Sequence, residues 1–297
     1  MGHLPATDAT AEGSTGATTP PAVTQRFDLR RVYTAVILVP VIYVVIRYLP
    51  PWALTLLLIA GGSVALTELY RISFHPRPNR ALIGVGLAAS ALIAARHHLL
   101  SPAFPELLAV SGLALIIALL CSSTPMERRL KDAGITAFGV VYVGYTLSTL
   151  ASTRSLPAGE FFVCFVALVT WAADTGAYYA GTLWGTHLLA PSISPKKTIE
   201  GVFGGLALGM GASLLARVWF LPQLSLLDAV ILGLLLTGSG LLGDLCESAI
   251  KRRVGVKDSG GILPGHGGML DRLDSLLFTA PTFYYYVTYV RGISLPP

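Results

Sequence analysis

Four carboxylates stand out by their spacing. Asp244 and Glu247 are three residues apart, and so are Asp271 and Asp274. On a helix, positions i and i+3 share a face, so each pair presents two acids in one direction. The segment joining the pairs is basic and rich in glycine. It holds Lys251, Arg252, Arg253, Lys257 and Asp258, then His266 among Gly260, Gly261, Gly265, Gly267 and Gly268. Acids crowded together repel unless a cation sits among them, and an all-oxygen set suits hard Mg²⁺ or Mn²⁺. Glycine-rich backbone with lysines beside it suits polyphosphate. Together these residues point to metal-assisted phosphoryl or nucleotidyl transfer.

A second basic run lies upstream: Ser194-Pro195-Lys196-Lys197-Thr198-Ile199-Glu200-Gly201. Thr198 or Ser194 can cap a helix that begins here, with Glu200 in its first turn. A helix N-terminus with two lysines beside it makes a phosphate seat. The Gly-x4-Gly-Lys pattern of a Walker A loop is absent. A fifth acid, Asp174, precedes this run. Each feature has a plainer reading. Basic residues anchor loops at a membrane surface, and acids near a membrane boundary face water. Neither explains why a basic, glycine-rich loop lies between two acidic pairs.

The elements that must carry these residues are set by composition. The chain has 297 residues, 53% hydrophobic and only 12% charged, with mean hydropathy +0.66. An ordinary soluble domain is about 25% charged. The composition excludes a soluble globular protein and a disordered one, leaving an all-α polytopic membrane protein. Net charge is +5, which here reflects basic loops facing an anionic leaflet and not nucleic acid. Cys121, Cys164 and Cys246 are scattered singly, without metal spacing, and read as buried small residues.

Residues 1–25 are poor in large apolar side chains and read as a disordered tail without a signal-peptide core. Nine apolar runs follow, near 32–49, 52–70, 81–95, 104–121, 134–151, 160–180, 200–221, 226–250 and 270–290. With nine spans and the N-terminus cytoplasmic, 16 of the 21 Lys and Arg fall on the inside. Both basic loops, 181–199 and 251–269, are then cytoplasmic. All five acids lie at the cytoplasmic ends of their spans. They are confined to the second half of the chain, and no internal repeat is visible. Both points argue against an ion-coupled secondary transporter, whose acids sit near the bilayer midplane. The chain divides into the tail, an N-terminal membrane region at 26–155 and a C-terminal catalytic region at 156–297.

The run Ser248-Ala-Ile-Lys251-Arg252-x4-Lys257-Asp258-Ser-Gly260-x2-Leu263-Pro264-Gly-His266-Gly267-Gly268-Met-Leu-Asp271-Arg272-Leu-Asp274 resembles the signature of phosphatidate cytidylyltransferases. Asp174-Thr-Gly-Ala-Tyr178, Leu189 to Gly201 and Gly243-Asp244-Leu-x-Glu247-Ser248 are similar to that family too. The likeness is strong over about 165–285 and elsewhere lies in hydropathy alone. The chain departs at Thr182 and Leu183, where the family often has a basic residue. It departs also at Gly185-Thr186, in place of Gly-Lys, and at Ile199, in place of Trp.

The resemblance implies that CTP and phosphatidic acid give CDP-diacylglycerol and pyrophosphate. It implies Mg²⁺ and a second cation such as K⁺, and a homodimer in the bacterial inner membrane. Asp244, Asp271 and Asp274 would hold the metal, with Asp174 and Glu247 close by. Lys196, Lys197, Thr198 and Lys257 would meet the CTP phosphates. Arg252, Arg272 and His266 would serve the lipid phosphate or the leaving pyrophosphate, with Lys257 and His266 counted as catalytic. Ser194, Ser248, Lys251, Asp258, Gly267 and Gly268 complete the substrate-binding set. A CTP-dependent lipid kinase, or a transferase acting on another lipid, shares the polytopic plan.

Overall fold

The computed structural model describes residues 29–74, 79–99, 104–120, 125–260 and 267–293. The expected tail, Cys121 and His266 lie outside the described residues. The described chain is helical apart from one hairpin. Its helices are α1 (Leu29–Tyr48), α2 (Pro51–Ser73), α3 (Arg80–Leu99), α4 (Phe104–Leu120) and α5 (Met126–Ser155). They continue with α6 (Gly159–Trp184), α7 (Ile199–Trp219), α8 (Leu226–Arg253) and α9 (Leu270–Tyr285). Each of the nine apolar runs coincides with one helix. Five of these helices, α2, α5, α6, α7 and α8, are long and apolar enough to cross a membrane.

Local sequence explains the boundaries. Pro50-Pro51 breaks α1 from α2, and Pro51 occupies the first turn, where its fixed φ suits a helix. Ser225 and Asp228 form a reciprocal capping box at the start of α8. Within α5 the ladder widens into a π turn at Val140–Tyr145, and α9 ends in another at Tyr286–Val290. Cys164 and Cys246 are free.

The expected loop at 181–199 contains structure that periodicity did not announce. β1 (Leu188–Ala190) pairs antiparallel with β2 (Ser194–Thr198), setting Leu188 against Thr198 and Ala190 against Ser194. The hairpin leads directly into α7, whose first turn is capped by the Thr198 hydroxyl, 3.1 Å from the Gly201 N–H.

One buried cluster runs through both halves of the chain. It joins Leu66, Leu69 and Tyr70 of α2 and Leu147 and Leu150 of α5 to Phe165 of α6, Leu236 of α8 and Phe283 of α9. The Tyr70 hydroxyl donates to the Thr136 carbonyl at 2.9 Å, tying α2 to α5. On α7, Gly201, Gly205 and Gly209 are buried at four-residue intervals, the small-residue stripe that lets membrane helices approach closely.

Candidate active site

The C-terminal ends of α6 and α8 meet the N-terminal ends of α7 and α9 beside the hairpin. Asp244, Glu247 and Asp274 bring one ligand atom each to within 4.8 Å of one another. At that separation two unit charges repel by about 3.5 kcal/mol at an effective dielectric of about 20. Asp174, on α6, faces the same group, with Asp244, Lys197 and the Ser275 hydroxyl among its neighbours. The Ser275 N–H donates to Asp274 Oδ1 at 2.7 Å.

Two lysines offset this negative charge. Lys197, from β2, places Nζ 2.7 Å from Asp244 Oδ2. Lys251, one turn beyond Glu247 on α8, places Nζ 2.5 Å from Glu247 Oε2 and 2.7 Å from Asp271 Oδ1. Glu247 is 1% exposed, so that ion pair is buried.

Asp271, expected beside Asp244 and Asp274, is held differently. One oxygen meets Lys251, while Oδ2 accepts the N–H groups of Gly268 at 2.8 Å and Ser259 at 3.2 Å. Asp271 also meets the Glu247 carboxyl directly, so it borders the group that Asp244, Glu247 and Asp274 form. The three donors are all oxygen, with no nitrogen or sulfur among them. That set fits a hard divalent cation.

The other expected residues surround this group. Ser194, Lys196, Lys197 and Thr198 lie on β2, with Lys196 exposed. The Ser248 hydroxyl reaches Asp244 Oδ1 at 3.4 Å. Arg252 Nε donates to the Ile193 carbonyl at 3.4 Å, linking α8 to the hairpin turn. Lys257 and Asp258 are exposed beyond α8, and Arg272 is exposed in the first turn of α9. Thr186, where the resembled family often has lysine, donates to Glu200 Oε1 at 2.8 Å, and His187 Nδ1 lies 2.6 Å from the same oxygen.

Sequence reading missed one acid. Glu68, on α2, is 2% exposed and reaches the glycine-rich segment from the N-terminal half. Buried acids are therefore not confined to the second half of the chain. The signal available was a single Glu inside an apolar run, which costs free energy in a membrane and calls for a partner.

Comparison with known proteins fits this geometry. A profile of the Cytidylyltransferase family matches residues 29–290. A phosphatidate cytidylyltransferase of Bacillus subtilis is 33% identical over 236 residues, 78% of this chain and 87% of that protein. Similar enzymes of Staphylococcus epidermidis and Staphylococcus saprophyticus are 39% identical over 179 residues and 45% over 150. Those matches cover 59% and 50% of this chain, and 68% and 57% of the two relatives. The chain belongs to the cytidylyltransferase family.

Proposed function

We propose that this protein transfers CMP from CTP to phosphatidic acid, giving CDP-diacylglycerol and pyrophosphate. The observation that carries the reading is the meeting of Asp244, Glu247 and Asp274 with Lys197, at the start of a capped helix. Hard-cation ligands and a phosphate seat lie side by side, as nucleotidyl transfer requires.

In this reading a phosphatidate oxygen attacks the α-phosphorus of CTP in line. The new O–P bond forms as the bond to the β-phosphate breaks, and pyrophosphate leaves. The attacking oxygen is already anionic, so no strong base is needed. Positioning and charge neutralisation supply the catalysis. Lys196, Lys197 and Thr198, at the positive end of the α7 dipole, receive the CTP phosphates. Lys257 joins them on the CTP phosphates, and Arg252, Arg272 and His266 serve the lipid phosphate or the departing pyrophosphate. Asp244, Glu247 and Asp274, with Asp271 beside Glu247, would hold Mg²⁺, which would neutralise phosphate charge. Asp271 borders this group, its carboxyl against that of Glu247 and sharing Lys251 with it. A second cation such as K⁺, a homodimer, a cytoplasmic N-terminus and an inner-membrane site facing the cytoplasm complete the proposal. Residues 26–155 form its scaffold and 156–297 its catalytic half.

The test is purified protein in detergent with phosphatidic acid, CTP and Mg²⁺. Pyrophosphate release together with a CMP-bearing lipid is expected. Phosphorylated lipid without CMP would favour a lipid kinase. Ion-coupled flux in liposomes lacking CTP would favour a transporter.

A further inference from the structure

Glu68 is the acid that this chemistry leaves unused. Its Oε2 accepts the Ser259 hydroxyl at 3.2 Å and the Leu270 N–H at 2.9 Å. Leu270 opens α9, so this N–H has no partner within its own helix. Oε1 is buried, with no hydrogen-bond partner among the described residues. Two glycines leave room for the carboxyl. A Cβ at Gly260 would lie 2.4 Å from Oε1, and one at Gly268 would lie 2.6 Å from Oε2, where ordinary contact begins near 3.4 Å.

Ser259 and Gly268 are also the residues whose N–H groups hold Asp271. Two carboxyls from different helices thus close the two ends of the glycine-rich segment. One of them, Glu68, comes from the N-terminal half of the chain, as does Tyr142, which lies beside Glu247 and Asp274.

We propose that Glu68 is a positioning residue for the transfer reaction. It fixes Ser259, Gly260 and Gly268, and the start of α9 bearing Asp271 and Asp274, against the carboxyl group of α8. This role rests on the function proposed above.

The experiment uses the full chain in mixed micelles. Glu68→Ala is expected to lower kcat by about 100-fold, with the KM for CTP within about threefold of wild type. Glu68→Gln keeps the length and an acceptor oxygen, and is expected to stay within about fivefold of wild-type kcat. Gly260→Ala should cost about tenfold in wild type but under about threefold beside Glu68→Asp, whose shorter side chain vacates the space. The role is overturned by a Glu68→Ala kcat, per folded molecule, within threefold of wild type. It is overturned equally if Gly260→Ala costs the same in both backgrounds. Should Glu68→Ala not fold, that second comparison decides.

If wild type makes no CMP-bearing lipid, the transfer reading fails, and proteolysis still reports on the contact. Trypsin should then cut after Lys257 about tenfold faster in Glu68→Ala than in Glu68→Gln. Equal rates would overturn the positioning.

Discussion

Gly243 offers a direct measure of how closely the two acidic pairs must meet. It precedes Asp244 on α8, and a Cβ there would lie 2.4 Å from the Asp274 carbonyl oxygen. That is about 1 Å inside the 3.4 Å where ordinary contact begins. A backbone oxygen cannot rotate away, so Gly243→Ala must move α8 and α9 apart by roughly that distance. Overpacking of this kind costs about 1–3 kcal/mol. Displacing reacting groups by about 1 Å costs on the order of 100-fold in rate. Gly238, on the same helix, has nothing within 4 Å of its Cβ position and supplies the control. With CTP and phosphatidic acid, Gly243→Ala should lose about 100-fold in kcat and melt earlier in detergent. Gly238→Ala should match wild type. A Gly243→Ala kcat within threefold of the control would refute the claim that this helix contact sets the acids.

Lys197→Ala should raise the KM for CTP about tenfold, the loss of one charge-assisted contact, and an unchanged KM would make Lys197 a mere anchor. Asp271→Asn should abolish turnover while the protein still inserts and extracts normally, and near-wild-type activity would remove Asp271 from the site. Lys251→Met leaves Glu247 buried without its cation and should cost about 3–5 kcal/mol in detergent unfolding, a loss that adding Glu247→Gln should largely restore.

The nine helices were legible because apolar runs bounded by prolines and charges dictate them. The acidic pairs were legible because i,i+3 spacing fixes a shared face. How the second pair divides its contacts was not. Asp274 faces Asp244 and Glu247, while Asp271 touches Glu247 alone of these and makes its other contacts with Lys251 and the loop backbone. That choice depends on the rotation of α9 against α8, which no local pattern encodes. The hairpin escaped because its strands are short and carry no alternation of apolar residues. Lys197 is delivered to Asp244 by that pairing. Glu68 escaped for a different reason. Its partners Ser259 and Leu270 lie 191 and 202 residues away, so no spacing near Glu68 announces them.

The double closure of the glycine-rich segment also bears on how that segment can change. Its ends meet at Ser259 and Gly268, so the chain between them is a closed loop held at its base. The entropy of closing such a loop grows only with the logarithm of its length, and doubling it costs about 0.6 kcal/mol. Folding stability therefore exerts almost no selection on the number of residues in the loop. A change in that number should leave unfolding nearly untouched, so turnover is the place to look for its effect.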